Sequence, residues 1–238
     1  MPRPTMSERQ ALIDRLEKAV ANWPSERTRR RAQDVIEALC SEASTLAVVA
    51  FGSAVRPTSG SFDLDLLYIF QGSEKAQLSV RSDIDVRPYA ADKVEELVSR
   101  GHDLLCWSIK FGRCICERDS YWSGLLARWQ DRLPPPSVQD ARERAARSYH
   151  MYRETLSIGD LDAALEQYVT YLTHCGRIRL ITAGIYPASR PELPGQLEEI
   201  DERQLASELR SALHRRNVRA HGGDKRTRQY LMTGGARS

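Results

Sequence analysis

Thr45-Leu46-Ala47-Val48-Val49-Ala50-Phe51-Gly52-Ser53, then Asp63-Leu64-Asp65-Leu66-Leu67, is the pair of segments that decides the fold of this chain. The first is a short apolar run, partly β-branched and closed by glycine, the pattern of a buried strand that ends in a tight turn. In the second, side chains alternate across a strand, so Asp63 and Asp65 emerge on one face while Leu64 and Leu66 point to the core. Two carboxylates on one face of an apolar strand repel each other and lose solvation unless a positive group sits between them. A divalent cation answers that need, because Mg²⁺ is typically held by one or two carboxylates together with substrate phosphates.

Working outward, a third strand is predicted over Asp83 to Tyr89, helices over Asp92 to Arg100 and Asp103 to Lys110, and a short strand over Arg113 to Glu117. Before the first strand, Leu12, Ile13, Leu16 and Val20 recur at helical spacing behind Ser7, a predicted N-cap. Trp23-Pro24-Ser25 interrupts the pattern. A second helix then presents Ala32, Val35, Ile36 and Leu39. Leu133-Pro134-Pro135-Pro136-Ser137 is a stiff spacer that no helix crosses. Beyond it the pattern is helical over 138–156, 161–183 and 202–221, with a punctuated loop over 186–195. The expected architecture is therefore α+β: a domain over 1–132 with a small mixed β-sheet flanked by helices, followed by an all-α helical bundle over 138–230.

The 238 residues carry a net charge of +3, too little for a strongly basic whole. The five cysteines (Cys40, Cys106, Cys114, Cys116, Cys175) are scattered and lack zinc-finger spacing, so they read as buried free thiols. With an odd count and no secretory leader, the expected location is a reducing cytoplasm, and no apolar run is long enough to span a bilayer.

Gly52-Ser53, Arg56, Asp63, Asp65 and a later acidic strand together resemble the nucleotidyltransferases of the DNA polymerase β superfamily, especially the minimal and aminoglycoside-type members. The resemblance covers roughly residues 30 to 120. It implies a nucleotide- and metal-binding domain in which Gly52 and Ser53 cradle a triphosphate and Arg56 contacts phosphate. Asp63, Asp65 and Asp85 would serve as metal ligands and catalytic carboxylates for two Mg²⁺ ions, with Asp83 a competing candidate for the third position. The implied reaction moves a nucleoside monophosphate, AMP from ATP or its counterpart from another NTP, to an acceptor hydroxyl on a small molecule, protein or RNA. Family members usually place Ser directly before the first Asp, whereas here Ser61-Phe62 precedes it.

Arg216-Asn217-Val218-Arg219-Ala220-His221 resembles the Arg-Asn-x-x-x-His motif of HEPN helical domains. That likeness implies a second site at Arg216, Asn217 and His221. It also implies a homodimer through the helical domain, with RNA or protein as partner, and an alternative function as a metal-independent ribonuclease or toxin–antitoxin component. The same basic residues also complement the negative end of a helix dipole. The position that carries a modifiable Tyr in some HEPN domains is Gly223, and Tyr230 lies farther on. Glu154, Asp160, Asp162 and Glu166 are the acidic residues that could line a wall for a cationic acceptor, or simply a solvated helix face.

Overall fold

The computed structural model describes residues 6–57, 61, 63–72 and 83–221, the side chains of residues 220 and 221 excepted. The chain divides into two compact units, Met1–Pro136 and Ser137–Ser238. The architecture is α+β, with a small mixed four-stranded sheet and flanking helices in the first unit and helices in the described part of the second.

Helices α1 (Met6–Ala19) and α2 (Glu26–Ser41) precede the sheet. Helix α1 already includes Met6, so Ser7 sits inside its first turn instead of capping it. The cap of α2 is Ser25, whose Oγ accepts a hydrogen bond from the Thr28 amide at 3.0 Å, satisfying one of the orphan donors of a helix start. Ala32, Ile36 and Leu39 form its buried stripe.

Strands β1 (Thr45–Phe51), β2 (Leu64–Phe70), β3 (Ile84–Ala90) and β4 (Arg113–Glu117) line up in the order β3-β2-β1-β4. β1 pairs antiparallel with β2 and with β4, and β2 pairs parallel with β3. The two central strands are buried on both faces, with Ala47 to Ala50 and Leu64, Leu66, Leu67 and Ile69 all fully enclosed. That is why their sequences read as near-continuous apolar runs. Pro88 falls on the edge strand β3, where a missing N–H is tolerated.

Helices α3 (Ala91–Ser99), α4 (Asp103–Phe111) and α5 (Tyr121–Trp129) complete the unit. Trp107 of α4 meets Phe51 edge-on with ring centroids 6.5 Å apart, which places α4 over the sheet face that carries Phe51. On the opposite side the last turn of α2 is joined to β4 by a disulfide between Cys40 and Cys116. This corrects the expectation of five free thiols. The pair lies 76 residues apart in sequence and meets only because α2 packs beside the strand pair in which Cys116 faces Val48. Cys106 and Cys114 are free, and burial pushes their thiols up to about 11 and about 12, far from reactive thiolates. Among the described residues no helix is long and apolar enough to cross a membrane.

The second unit contains α6 (Val138–Ser157), α7 (Leu161–Thr182), α8 (Leu193–Glu199) and α9 (Arg203–His221). Its core joins Val169, Leu172 and Leu180 of α7 with Leu193 and Leu197 of α8 and Ala206, Leu209 and Ala212 of α9. Each large side chain buried there contributes about 1.5–3 kcal/mol. Gly176 admits α8 closely, since a Cβ at that point would stand 3.1 Å from Leu197 Cδ1. Helix α8 overturns part of the loop expected over 186–195. Pro194 and Gly195 fall in its first turn, where a proline lacks only an amide that has no helical partner.

Candidate functional site

Register brings the predicted acids together. In the parallel β2–β3 pair Asp65 lies directly opposite Asp85, and across the antiparallel pair it lies opposite Phe51. Opposed residues on neighbouring strands share a face at a backbone spacing of about 4.8 Å. Asp63 stands just before β2, two residues from Asp65, and its charge acts on the Asp65 carboxyl. The Asp65 carboxyl is pushed up to about 7, first by burial, then by the negative charges of Asp63 and Asp85, with Arg87 pulling the other way. Asp63 and Asp85 thus both act on the Asp65 carboxyl.

The glycine turn abuts this cluster. Gly52 has φ +75°, a conformation that a side chain resists, and a Cβ added there would overlap Asp65 Oδ2. Glycine is therefore required twice over, for the left-handed backbone and for the closeness of the carboxylate. Ser53 opens a short 3₁₀ turn, Ser53–Val55, and its hydroxyl donates to Ser61 Oγ at 3.3 Å. Ser61 Oγ in turn donates to the Asp63 carbonyl at 2.5 Å, linking the serine bend to the first aspartate. The residue between them, Phe62, lies outside the described residues. The bend is also tied to the end of α1, because the Ala54 carbonyl accepts from the amides of Ala21 and Asn22 at 2.8 and 3.0 Å. Asn22 Nδ2 further donates to the Arg56 carbonyl. The Arg56 guanidinium stacks over the Phe111 ring at 4.9 Å, so its side chain is held against α4.

Asp83 behaves differently from Asp85. It lies in the turn before β3, where strand alternation does not apply. Arg31 Nη1 reaches both of its oxygens at 3.1 Å, and the Thr28 hydroxyl donates at 3.2 Å. Burial alone would raise this carboxyl, but those bonds outweigh it and hold Asp83 below the usual range. It is a structural ion pair to α2.

Among the described residues no group of three or more His, Cys, Asp or Glu side chains is arranged to hold a metal ion by itself. The acids present fit a cation that takes part of its shell from another molecule. Hard oxygen donors, two of them opposed in register, suit Mg²⁺ shared with phosphate oxygens and do not suit a closed protein cage.

In the helical unit, Arg216 and Asn217 lie within α9 and His221 is its last residue, its side chain outside the described set. Arg216 Nε pairs with Glu166 of α7 at 2.7 Å, and Arg219 Nη1 pairs with Asp162 at 2.6 Å. Asp160 caps α7, accepting from the Ala163 amide at 3.0 Å, and Glu154 meets His150 at 3.1 Å. All four acids noted for a cationic acceptor are thus engaged within this unit. Gly223 and Tyr230 lie outside the described residues.

Two participants escaped the sequence reading. Asn22 anchors the bend, and nothing in its local sequence signals this. Arg87 pairs with Asp85, and its position two residues along the same strand was the available signal.

No protein-family model and no curated protein sequence matches this chain. Among solved structures the chain is similar to a nucleotidyltransferase-like protein from Exiguobacterium sibiricum 255-15. The identity is 16%, the TM-score is 0.35, and the match covers 87% of this chain and 78% of that one. A likeness of that size leaves the chemistry to this chain's own side chains.

Proposed function

We propose that the first unit is a Mg²⁺-dependent nucleotidyltransferase that moves a nucleoside monophosphate, AMP from ATP, to an acceptor hydroxyl. The observation that carries this reading is the Asp65–Asp85 register beside a glycine turn, with the Asp65 carboxyl pushed up to about 7 by burial and by its acidic neighbours. A cluster of like charge at a strand end is costly, and a site for a cation explains its cost.

Asp63, Asp65 and Asp85 would hold the metal, together with phosphate oxygens of the nucleotide. When bound, Mg²⁺ neutralises the charge that builds on the reacting phosphate and on the departing pyrophosphate. The chain's own groups do the rest. Gly52 brings the turn against the Asp65 carboxylate, and Ser53 offers a hydroxyl whose partner among the described residues is Ser61. Arg56 adds positive charge, held beside Phe111. The acceptor oxygen forms its bond to the α-phosphorus as the bond to pyrophosphate breaks, and the acceptor's proton passes to a carboxylate or to water. Asp85, half-exposed on an edge strand, is the carboxylate best placed to meet it.

Transfer of label from α-³²P-ATP to a panel of hydroxyl acceptors, with pyrophosphate release in parallel, tests the reading. Turnover that requires Mg²⁺ and disappears in Asp63→Asn with Asp65→Asn is expected. Turnover that survives both substitutions contradicts it. No second function is proposed for the helical unit, in which Arg216 of the six-residue motif pairs with Glu166.

A further inference from the structure

We propose that Arg87 is the resident counter-cation of the carboxylate cluster: divalent metal displaces it from Asp85, and it then binds the triphosphate. This inference rests on the nucleotidyltransferase reading and adds a residue to it. Two aspartate–arginine pairs flank the start of β3, and their contrast carries the point. Arg31 touches both oxygens of Asp83 at 3.1 Å, with Thr28 adding a third bond, and both partners are mostly covered, at 26% and 21% exposure. That pair is built to stay. Arg87 Nη2 touches a single oxygen of Asp85 at 2.5 Å, and the two side chains are 55% and 37% exposed. An exposed pair with one contact is held weakly and exchanges partners easily.

Geometry puts the guanidinium where both partners are in reach. Arg87 shares a strand face with Asp85, lies opposite Leu67 two residues on from the Asp65–Asp85 row, and belongs to the edge strand β3, which has no further strand beside it among the described residues. Its charge also reaches Asp65. One exposed guanidinium with a single contact offsets the acids around Asp65 only in part, so a divalent cation competes favourably for Asp85. The released fork would be available to phosphate oxygens of the nucleotide, which match it bidentately.

Opposite signs in two binding measurements test this. Mn²⁺ alone, followed by the EPR signal of the free ion, probes the first half. The non-reacting analogue α,β-methylene-ATP, titrated by calorimetry at saturating Mn²⁺, probes the second. Arg87→Gln should tighten Mn²⁺ binding by about two- to fivefold, the range expected on losing an exposed ion pair. It should weaken the analogue by about tenfold or more, the cost of a lost charge-assisted bond. Arg87→Lys, which keeps a point charge without the fork, should leave Mn²⁺ binding near wild type and still weaken the analogue. Circular dichroism checks that each variant folds. If the wild type binds Mn²⁺ through Asp65 but both Arg87 variants bind metal and analogue as the wild type does, or lose both, the role of Arg87 is wrong and the nucleotidyltransferase reading stands. If the wild type binds neither probe, that reading fails and the role falls with it.

Discussion

The acidic strand ends of the first unit and the basic last helix of the second handle charge in opposite ways. Along α9 four of the five arginines pair with a carboxylate: Arg203 with Asp201, Arg210 with Glu198, Arg216 with Glu166, and Arg219 with Asp162. Exposed pairs of this kind contribute about 0–1 kcal/mol each. At β2 and β3, by contrast, Asp63, Asp65 and Asp85 crowd one another while a single exposed arginine offsets them in part. A fold tolerates unbalanced charge of that sort when binding relieves it. The contrast is between charges that are mostly paired and charges that crowd one another.

The largest expected effect lies in the acidic cluster. Asp63→Asn with Asp65→Asn should abolish nucleotidyl transfer while the protein stays folded, as read by pyrophosphate release and thermal melting together. A double variant that is inactive because it is unfolded would erase the distinction between the regions.

Next comes pH. The folded Asp65 carboxyl keeps its proton up to about 7, whereas in the unfolded chain it gives it up near 3.8. Between those values the folded state binds more protons, so this residue makes stability fall as pH rises from about 4 to about 7. Asp65→Asn removes that slope and should be more stable than the wild type at pH 8 by about 1–3 kcal/mol, measured by urea unfolding. Mg²⁺ should raise the wild-type melting temperature at that pH and leave the variant unmoved.

Gly52→Ala follows, costing about 1–2 kcal/mol for the left-handed backbone and displacing Asp65 as well. Its loss of Mn²⁺ affinity should exceed what its stability loss alone explains. The smallest effect belongs to α9. A double-mutant cycle over Arg216→Ala and Glu166→Ala should give about 0–1 kcal/mol of coupling and leave nucleotidyl transfer unchanged. A larger effect on transfer would mean that the helix takes part in the chemistry.

Much of the framework is legible in the sequence because its signals are periodic. The apolar runs that become β1 and β2, the proline triplet at 134–136 and the long helices α6, α7 and α9 all follow from local pattern. Short or oddly started elements are not legible. Helix α5 begins after Asp119 and Ser120, both at positive φ, and α8 opens on Pro194 and Gly195, residues that ordinarily punctuate loops. Partners distant in sequence are also hidden. The Cys40–Cys116 bond depends on how α2 meets β4, and strand register, not spacing, places Asp85 opposite Asp65 while the turn before β3 sends Asp83 to Arg31. Alternation alone treated the two aspartates as equivalent.

The most direct test is a ¹³C NMR titration of the Asp65 carboxyl, assigned through Asp65→Asn, with and without Mg²⁺. The account predicts a midpoint near 7 in the free protein that moves down by more than one pH unit when Mg²⁺ is added. A midpoint near 4 that Mg²⁺ leaves in place would contradict it.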